Sequence, residues 1–128
     1  MAGENDLAVL LKSLRPRLRE GVYVFAAASA VGLGAGVEPI LSFREDEGAA
    51  LILRQDEAER LNLSYEFPCR WITLDVHSAL VAVGMMAVVT ARLSEAGISV
   101  NPVSALRHDH LFVPAERAAE TLEILRTL

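Results

Sequence analysis

The sequence predicts an α+β fold in which antiparallel sheets are covered by helices. Three observations carry that expectation. Short β-rich runs recur along the chain and are bounded by Gly, Pro or acidic turns. Apolar residues at helical spacing appear at the N-terminus, in the middle and at the C-terminus. Between Trp71 and Ser104 a strand, an apolar helix and a second strand follow one another with tight joints.

That central stretch organises the rest. Trp71-Ile72-Thr73-Leu74-Asp75-Val76-His77 alternates as a strand does. A short turn containing Ser78 leads to a helix over 82–96, which Gly97 closes before a strand at Ile98-Ser99-Val100. Backbone N–H groups at the start of such a helix lack intrahelical partners and suit a small anion. Ala82, Met85, Met86, Val89, Leu93 and Ala96 form the expected core stripe of this helix. Gly84, Ala87, Val88 and Ala91 lie on the opposite side, where charge is missing, so this small-residue face is expected to be a helix interface.

Composition bounds the function classes. At 128 residues with 52% hydrophobic side chains, the chain suits one compact domain or two small units sharing a core. A net charge of −5 offers no basic footprint for nucleic acid or for an anionic membrane. The single Cys69 excludes an internal disulfide and fits a reducing cytosol. The opening MAGENDLAVLLKSL carries acids where a signal peptide needs bases, and the apolar run at 79–91 is short and interrupted by Gly84. A soluble, cytoplasmic protein is therefore expected.

Taken in order, Leu7, Leu10, Leu11, Leu14 and Leu18 recur at helical spacing behind a cap at Asn5 or Asp6, and Pro16 ends or kinks that helix. Its leucine stripe needs an apolar sheet to cover. A strand follows at Val22–Ala27. Gly32-Leu33-Gly34-Ala35-Gly36 looks like a phosphate-binding glycine fingerprint, but such a fingerprint opens a helix. Here Val37-Glu38-Pro39 leads straight into another strand, so the segment reads as a mobile loop. Ile40–Arg44 and Ala50–Arg54 make a hairpin around Glu45-Asp46-Glu47-Gly48, with Gly48 at the left-handed position and the carboxylates solvated. A short helix, Asp56–Leu61, precedes Tyr65–Cys69, and Pro68 marks the joint between two units, 1–68 and 69–128. A further strand at 110–113 and a helix from Pro114 to Leu125 complete the chain. The second unit then runs β-α-β-β-α, the ferredoxin-like order without its last strand. Each unit reads as incomplete, and the two are expected to lie side by side and complete one another. The count is seven strands and four helices.

Catalytic and metal constellations find little support. His108 and His110 share a strand face near His77, but Asp109 points to the opposite face and Cys69 lies at the wrong end of its strand. Neither a metal nor another cofactor is expected. No Ser–His–Asp or Cys–His context is recognisable, and Cys69 lacks a helix N-terminus to activate it. No catalytic residue is assigned.

Several strings carry a resemblance. The strand Ile72–Val76, Gly84, the pattern Leu93-x-x-Ala96-Gly97-Ile98 and Asn101 resemble the ACT domain, a βαββαβ module that binds amino acids in regulated enzymes. With SFREDEG (42–48), EFPCRWITLDVHS (66–78) and HDHLFVP (108–114), the whole chain resembles small stand-alone tandem ACT proteins. The resemblance implies two ferredoxin-like units of ACT type and a regulatory, non-enzymatic role. It also implies a small-molecule ligand, an amino acid, and either a homodimer or a partner enzyme. Amino-acid-binding ACT loops often carry an acidic residue and a Pro-Gly pair; the turn from His77 to Gly84 keeps the glycine without the proline. The expected ligand site comprises His77, Ser78, Ala79, Leu80, Gly84 and Met85 of that turn, with Asn101, His108 and His110 beside it. The alternative is a module that dimerises or docks on an enzyme without a ligand.

Overall fold

The computed structural model describes residues 3–28 and 37–128, so the glycine segment 32–36 lies outside the described residues. The described residues form seven strands, four α-helices and one turn of 3-10 helix. By internal contacts the chain divides into a unit of Met1–Glu20 with Arg70–Leu128 and a unit of Gly21–Cys69. This differs from a linear cut after residue 68, because the N-terminal residues contribute to the core and the sheet of the first of these units.

In that unit, helix α1 (Leu7–Ser13) is capped by Asp6, whose Oδ1 accepts from the Val9 N–H at 3.1 Å. Leu14 leaves the helix with ψ at 131°, and strand β1 (Pro16–Leu18) follows. The expectation that Leu18 continues the helical stripe is thus corrected. Pro16 cannot extend the helix and instead begins an extended segment, with Leu18 set opposite Ile72. Strand β5 (Tyr65–Leu74) pairs antiparallel with β1 and neighbours β7 (Asp109–Pro114), which pairs with β6 (Asn101–Ser104). The order β1-β5-β7-β6 is that of a complete ferredoxin-like sheet, with β1 supplying the strand the C-terminal half lacks. Pro102 is tolerated because β6 is an edge.

Helix α3 (Met85–Glu95) starts later than its apolar pattern suggests. Gly84 has φ of +106°, a left-handed conformation that cannot lie within a helix, so 79–83 is loop. The second strand likewise begins at Asn101, three residues after Ile98. Helix α4 (Ala118–Leu125) follows one 3-10 turn at Ala115–Arg117. The core packs Leu10 and Leu14 against Ile72, Leu74, Met85, Val89, Leu93, Leu111 and Val113, with Leu7 and Leu11 partly buried at its margin.

The unit of Gly21–Cys69 contains β2 (Tyr23–Ala28), β3 (Leu41–Glu45), β4 (Gly48–Arg54) and α2 (Gln55–Arg60). Antiparallel pairings give the order β3-β4-β2-β5, again the ferredoxin-like sequence of strands. Gly48, with φ of +131°, closes the β3–β4 turn opposite Glu45. Pro68 does not break β5. The register against β2 slips by one residue near Phe67, whose φ is +61°, so a bulge absorbs the missing N–H. Val24, Leu51, Leu53 and Ala58 form the core here. Among the described residues no helix is long and apolar enough to cross a membrane.

Leu10 is 0% exposed whereas Phe43 is 63% exposed. Leu10→Ala should cost about 2–5 kcal/mol in urea unfolding, the range for truncating a buried leucine. Phe43→Ala should change stability by less than about 0.5 kcal/mol. A Leu10→Ala protein with the parent's unfolding midpoint would refute the assignment of α1 to the core.

Candidate functional site

The turn after β5 is held from two sides. The Asp75 N–H donates to the Arg15 carbonyl at 2.8 Å as the strand ends. Residue 4 then bridges the loop: its N–H donates to the His77 carbonyl at 2.8 Å, and its carbonyl accepts from the Ala79 N–H at 2.7 Å. Gly3 permits this approach, since a Cβ there would stand 2.6 Å from the Ser78 carbonyl carbon. At the other end, a Cβ on Gly84 would meet Leu7 Cδ2 at 3.1 Å. The chain then enters α3 with no side-chain cap and no acid in the first turn. Val88 is the first to donate back, to the Gly84 carbonyl at 3.0 Å, so the N–H groups of Met85, Met86 and Ala87 precede the helical ladder.

A cavity of about 130 Å³ lies against this helix start. Of the residues expected from sequence, Ser78, Ala79, Leu80, Gly84 and Met85 line it. Met86, Ser104, Ala105 and Asp109 join them, and none of these four was expected. His77 lines a neighbouring open groove of about 580 Å³ with Leu80, Val81, Leu106 and Arg107. His108 faces the Val76 carbonyl, its Nδ1 3.3 Å from the oxygen. Asn101 pairs with Phe112 at the far end of β6, three residues from Ser104, which sets it roughly 10 Å away along the strand. Neither Asn101, His108 nor His110 lines the cavity.

Asp109 sits on the same face of β7 as the buried Leu111 and Val113, because alternate residues share a face. Its Oδ2 accepts from the Ser78 hydroxyl at 3.3 Å. Sequence offered one signal for it, an acid at a core-facing position of an apolar strand.

His110 points to the other face. There the Trp71 indole N–H donates to His110 Nδ1 at 3.0 Å, and the Thr73 hydroxyl lies 3.1 Å from the same nitrogen. An indole nitrogen only donates, so Nδ1 accepts and the imidazole proton resides on Nε2. Arg19 covers the group, with its guanidinium 3.9 Å from the Trp71 ring and donating to Thr73 Oγ1 at 3.0 Å. Burial pushes the His110 pKa below its ordinary value; the charges of His108 and Arg19 act the same way, while Asp109 opposes them. Nearby, Arg17 donates through Nε to Asp75 Oδ2 at 2.7 Å and holds that carboxyl below its usual range. In the other unit, burial drives the Cys69 thiol up to about 12, and its Sγ–H donates to the Tyr23 carbonyl, so it is no nucleophile. Among the described residues no group of three His, Cys, Asp or Glu is placed to hold a metal.

Two ACT-domain patterns match the sequence, one over residues 2–70 and one over 66–127. The chain belongs to the ACT-domain family. No curated protein matches it. A Vibrio cholerae protein of unknown function, described as a possible transport protein, is 39% identical over 94% of both chains, with a TM-score of 0.85. The regulatory subunit of aspartate kinase from Thermus flavus shares the fold at 11% identity, covering 99% of this chain and 98% of that one, with a TM-score of 0.61. Escherichia coli aspartokinase III, in complex with aspartate and ADP, is 16% identical over 88% of this chain and 32% of its own, with a TM-score of 0.66. The two ferredoxin-like units are thus ACT units, a regulatory class of domain. The small-residue face of α3 is divided: Gly84 meets Leu7, Val88 is half-buried, and Ala87 and Ala91 are exposed.

A His110 whose folded pKa lies below its unfolded value near about 6.5 favours the neutral form in the native state. Below that value the unfolded chain binds more protons, so this contribution is fully present above it and is lost as pH falls toward the folded pKa. Urea unfolding from about pH 7.5 to about pH 5 should show a larger loss in the parent than in His110→Gln. Equal pH dependence in the two proteins would remove His110 from the account.

Proposed function

We propose that this ACT protein is a non-enzymatic regulatory module that binds a small carboxylate-bearing molecule, an amino acid, at the start of α3. The carrying observation is the cavity of about 130 Å³ set against three helix-start N–H groups, with apolar and hydroxyl-bearing walls. The partial positive charge of a helix N-terminus suits a carboxylate. Relatives described as regulatory subunits of aspartate kinase support the class of role. In this reading the ligand biases an assembly with a second copy or a partner enzyme in the cytoplasm.

Calorimetry and thermal melting with the twenty amino acids test the proposal. At least one should bind, and at a hundredfold excess over its Kd it should stabilise the native state by about 2.7 kcal/mol. Native protein that responds to none of them at millimolar concentration would sink it.

A second reading, an interaction module without ligand, draws support from the exposed Leu80, Val81 and Val83 of the loop and from Ala87 and Ala91 on α3. Both alanines are exposed, so Ala87→Glu should leave the melting temperature unchanged in a free chain. If that face meets a second copy, the same substitution should shift sedimentation toward the smaller species. Unaltered sedimentation and stability would rule this face out as an interface.

A further inference from the structure

We propose that the face of β7 bearing His110 binds a phosphate group, held by the His110 Nε2–H, the Arg19 guanidinium and the His108 ring. This site lies on the other side of the strand from the α3 cavity, and it does not depend on the ligand reading of that cavity. Strand alternation sends His108 and His110 to one face and Asp109 to the other, and the two rings stand 6.5 Å apart between centroids. Each ring is tied through Nδ1, His110 by Trp71 and Thr73, His108 by the Val76 carbonyl. Both Nε2 atoms, at the far edge of their rings, therefore point away from these partners.

The two free edges are of opposite kind. His110 accepts at Nδ1, so its Nε2 carries the proton, and among the described residues nothing accepts from it. A carbonyl only accepts, so His108 Nδ1 donates to Val76, and the neutral ring leaves its Nε2 bare. A group that bridges them must accept at one point and donate at another. Fixed charge stands beside them. Arg19 lies 3.9 Å over the Trp71 ring and spends an N–H on Thr73 Oγ1, while none of the ion pairs among the described residues uses it. The nearby acid, Asp75, is taken up by Arg17 through two hydrogen bonds. His110 accordingly feels the positive charges of His108, Arg19 and Arg17, although the chain as a whole carries −5.

A phosphate meets these demands together. Its oxygens accept from the guanidinium fork and from His110. Its second ionisation falls at about 6, so near neutral pH part of the population keeps a P–O–H for the bare His108 nitrogen. A carboxylate or a sulfate at that pH only accepts. Two hydrogen bonds of about 2.8 Å, one on either side of a tetrahedral group, span a gap of this size.

Calorimetry on the full chain at neutral pH compares inorganic phosphate, glycerol phosphate, sulfate and acetate, with NMR of the histidine rings as a second readout. At least one of the two phosphates should bind at millimolar concentration and shift the His108 and His110 ring signals. Sulfate and acetate should bind at least about tenfold more weakly. The ratio of the two phosphates tells a site for the free ion from one for a phosphomonoester. Arg19→Met keeps an unbranched side chain over Trp71 without the charge, and His108→Phe removes the bare nitrogen from a half-buried ring. Each should lose at least about tenfold in phosphate affinity. The site is overturned if neither phosphate binds, or if binding leaves either the ring signals or both folded variants unchanged. Sulfate or acetate binding as tightly as phosphate overturns the phosphate assignment. Should both variants fail to fold, the ligand comparison and the ring signals of the parent decide.

Discussion

The left-handed backbone at Gly84 fixes most of what surrounds the cavity. An L side chain at φ of +106° is strained, and here its Cβ would also press on Leu7. The residue thus sets the first turn of α3 and the seat of α1 together. Because the helix starts only at Met85, its stripe of Met85, Val89 and Leu93 meets the core in one register. The five residues before it are excluded from the helix, although their apolar character would otherwise extend it. That exclusion exposes Leu80, Val81 and Val83 and frees the first-turn N–H groups.

A loop so defined would be loose if it were tied only at its ends. The N-terminal segment prevents this by pairing across residues 77–79 through two backbone hydrogen bonds. Glu4 Oε2 then accepts from the Asn5 and Asp6 N–H groups, fixing the turn that delivers Asp6 to cap α1. One short segment therefore anchors the loop and starts the helix whose Leu10 and Leu14 fill the core. Backbone contacts of this kind depend on little side-chain identity, Gly3 excepted.

This explains which features were legible in the sequence. Strands β2, β3, β4 and β7, the hairpin turn at Gly48, the leucines of α1 up to Leu11 and the position of α4 follow from local periodicity and turn chemistry and appear in the fold, whereas Leu18 lies in β1 and β6 begins only at Asn101. The turn at Ser78–Met85 was likewise visible, because a strand followed by an apolar helix marks it. What local patterns do not carry is the long-range pairing. Nothing near Pro16–Leu18 announces that it becomes the fourth strand of a sheet whose other strands are β5, β6 and β7. Asn101 was placed beside the turn from its position after the helix, yet the strand runs on so that Ser104 reaches the cavity. Their spacing singles out the three histidines as candidate metal ligands and as residues of the ligand site, and Asp109 between two of them enters only as a metal ligand on the opposite face. Its burial depends on tertiary packing and had no local signature beyond strand alternation.

The two faces of β7 are linked through that alternation. On one face the Trp71 indole N–H and burial keep His110 neutral, with its Nδ1 committed as an acceptor. Protonation there would set an N–H against an N–H, and the charge of Arg19 also disfavours it. The attraction of Asp109 for a protonated His110 acts in the opposite sense and is outweighed by burial.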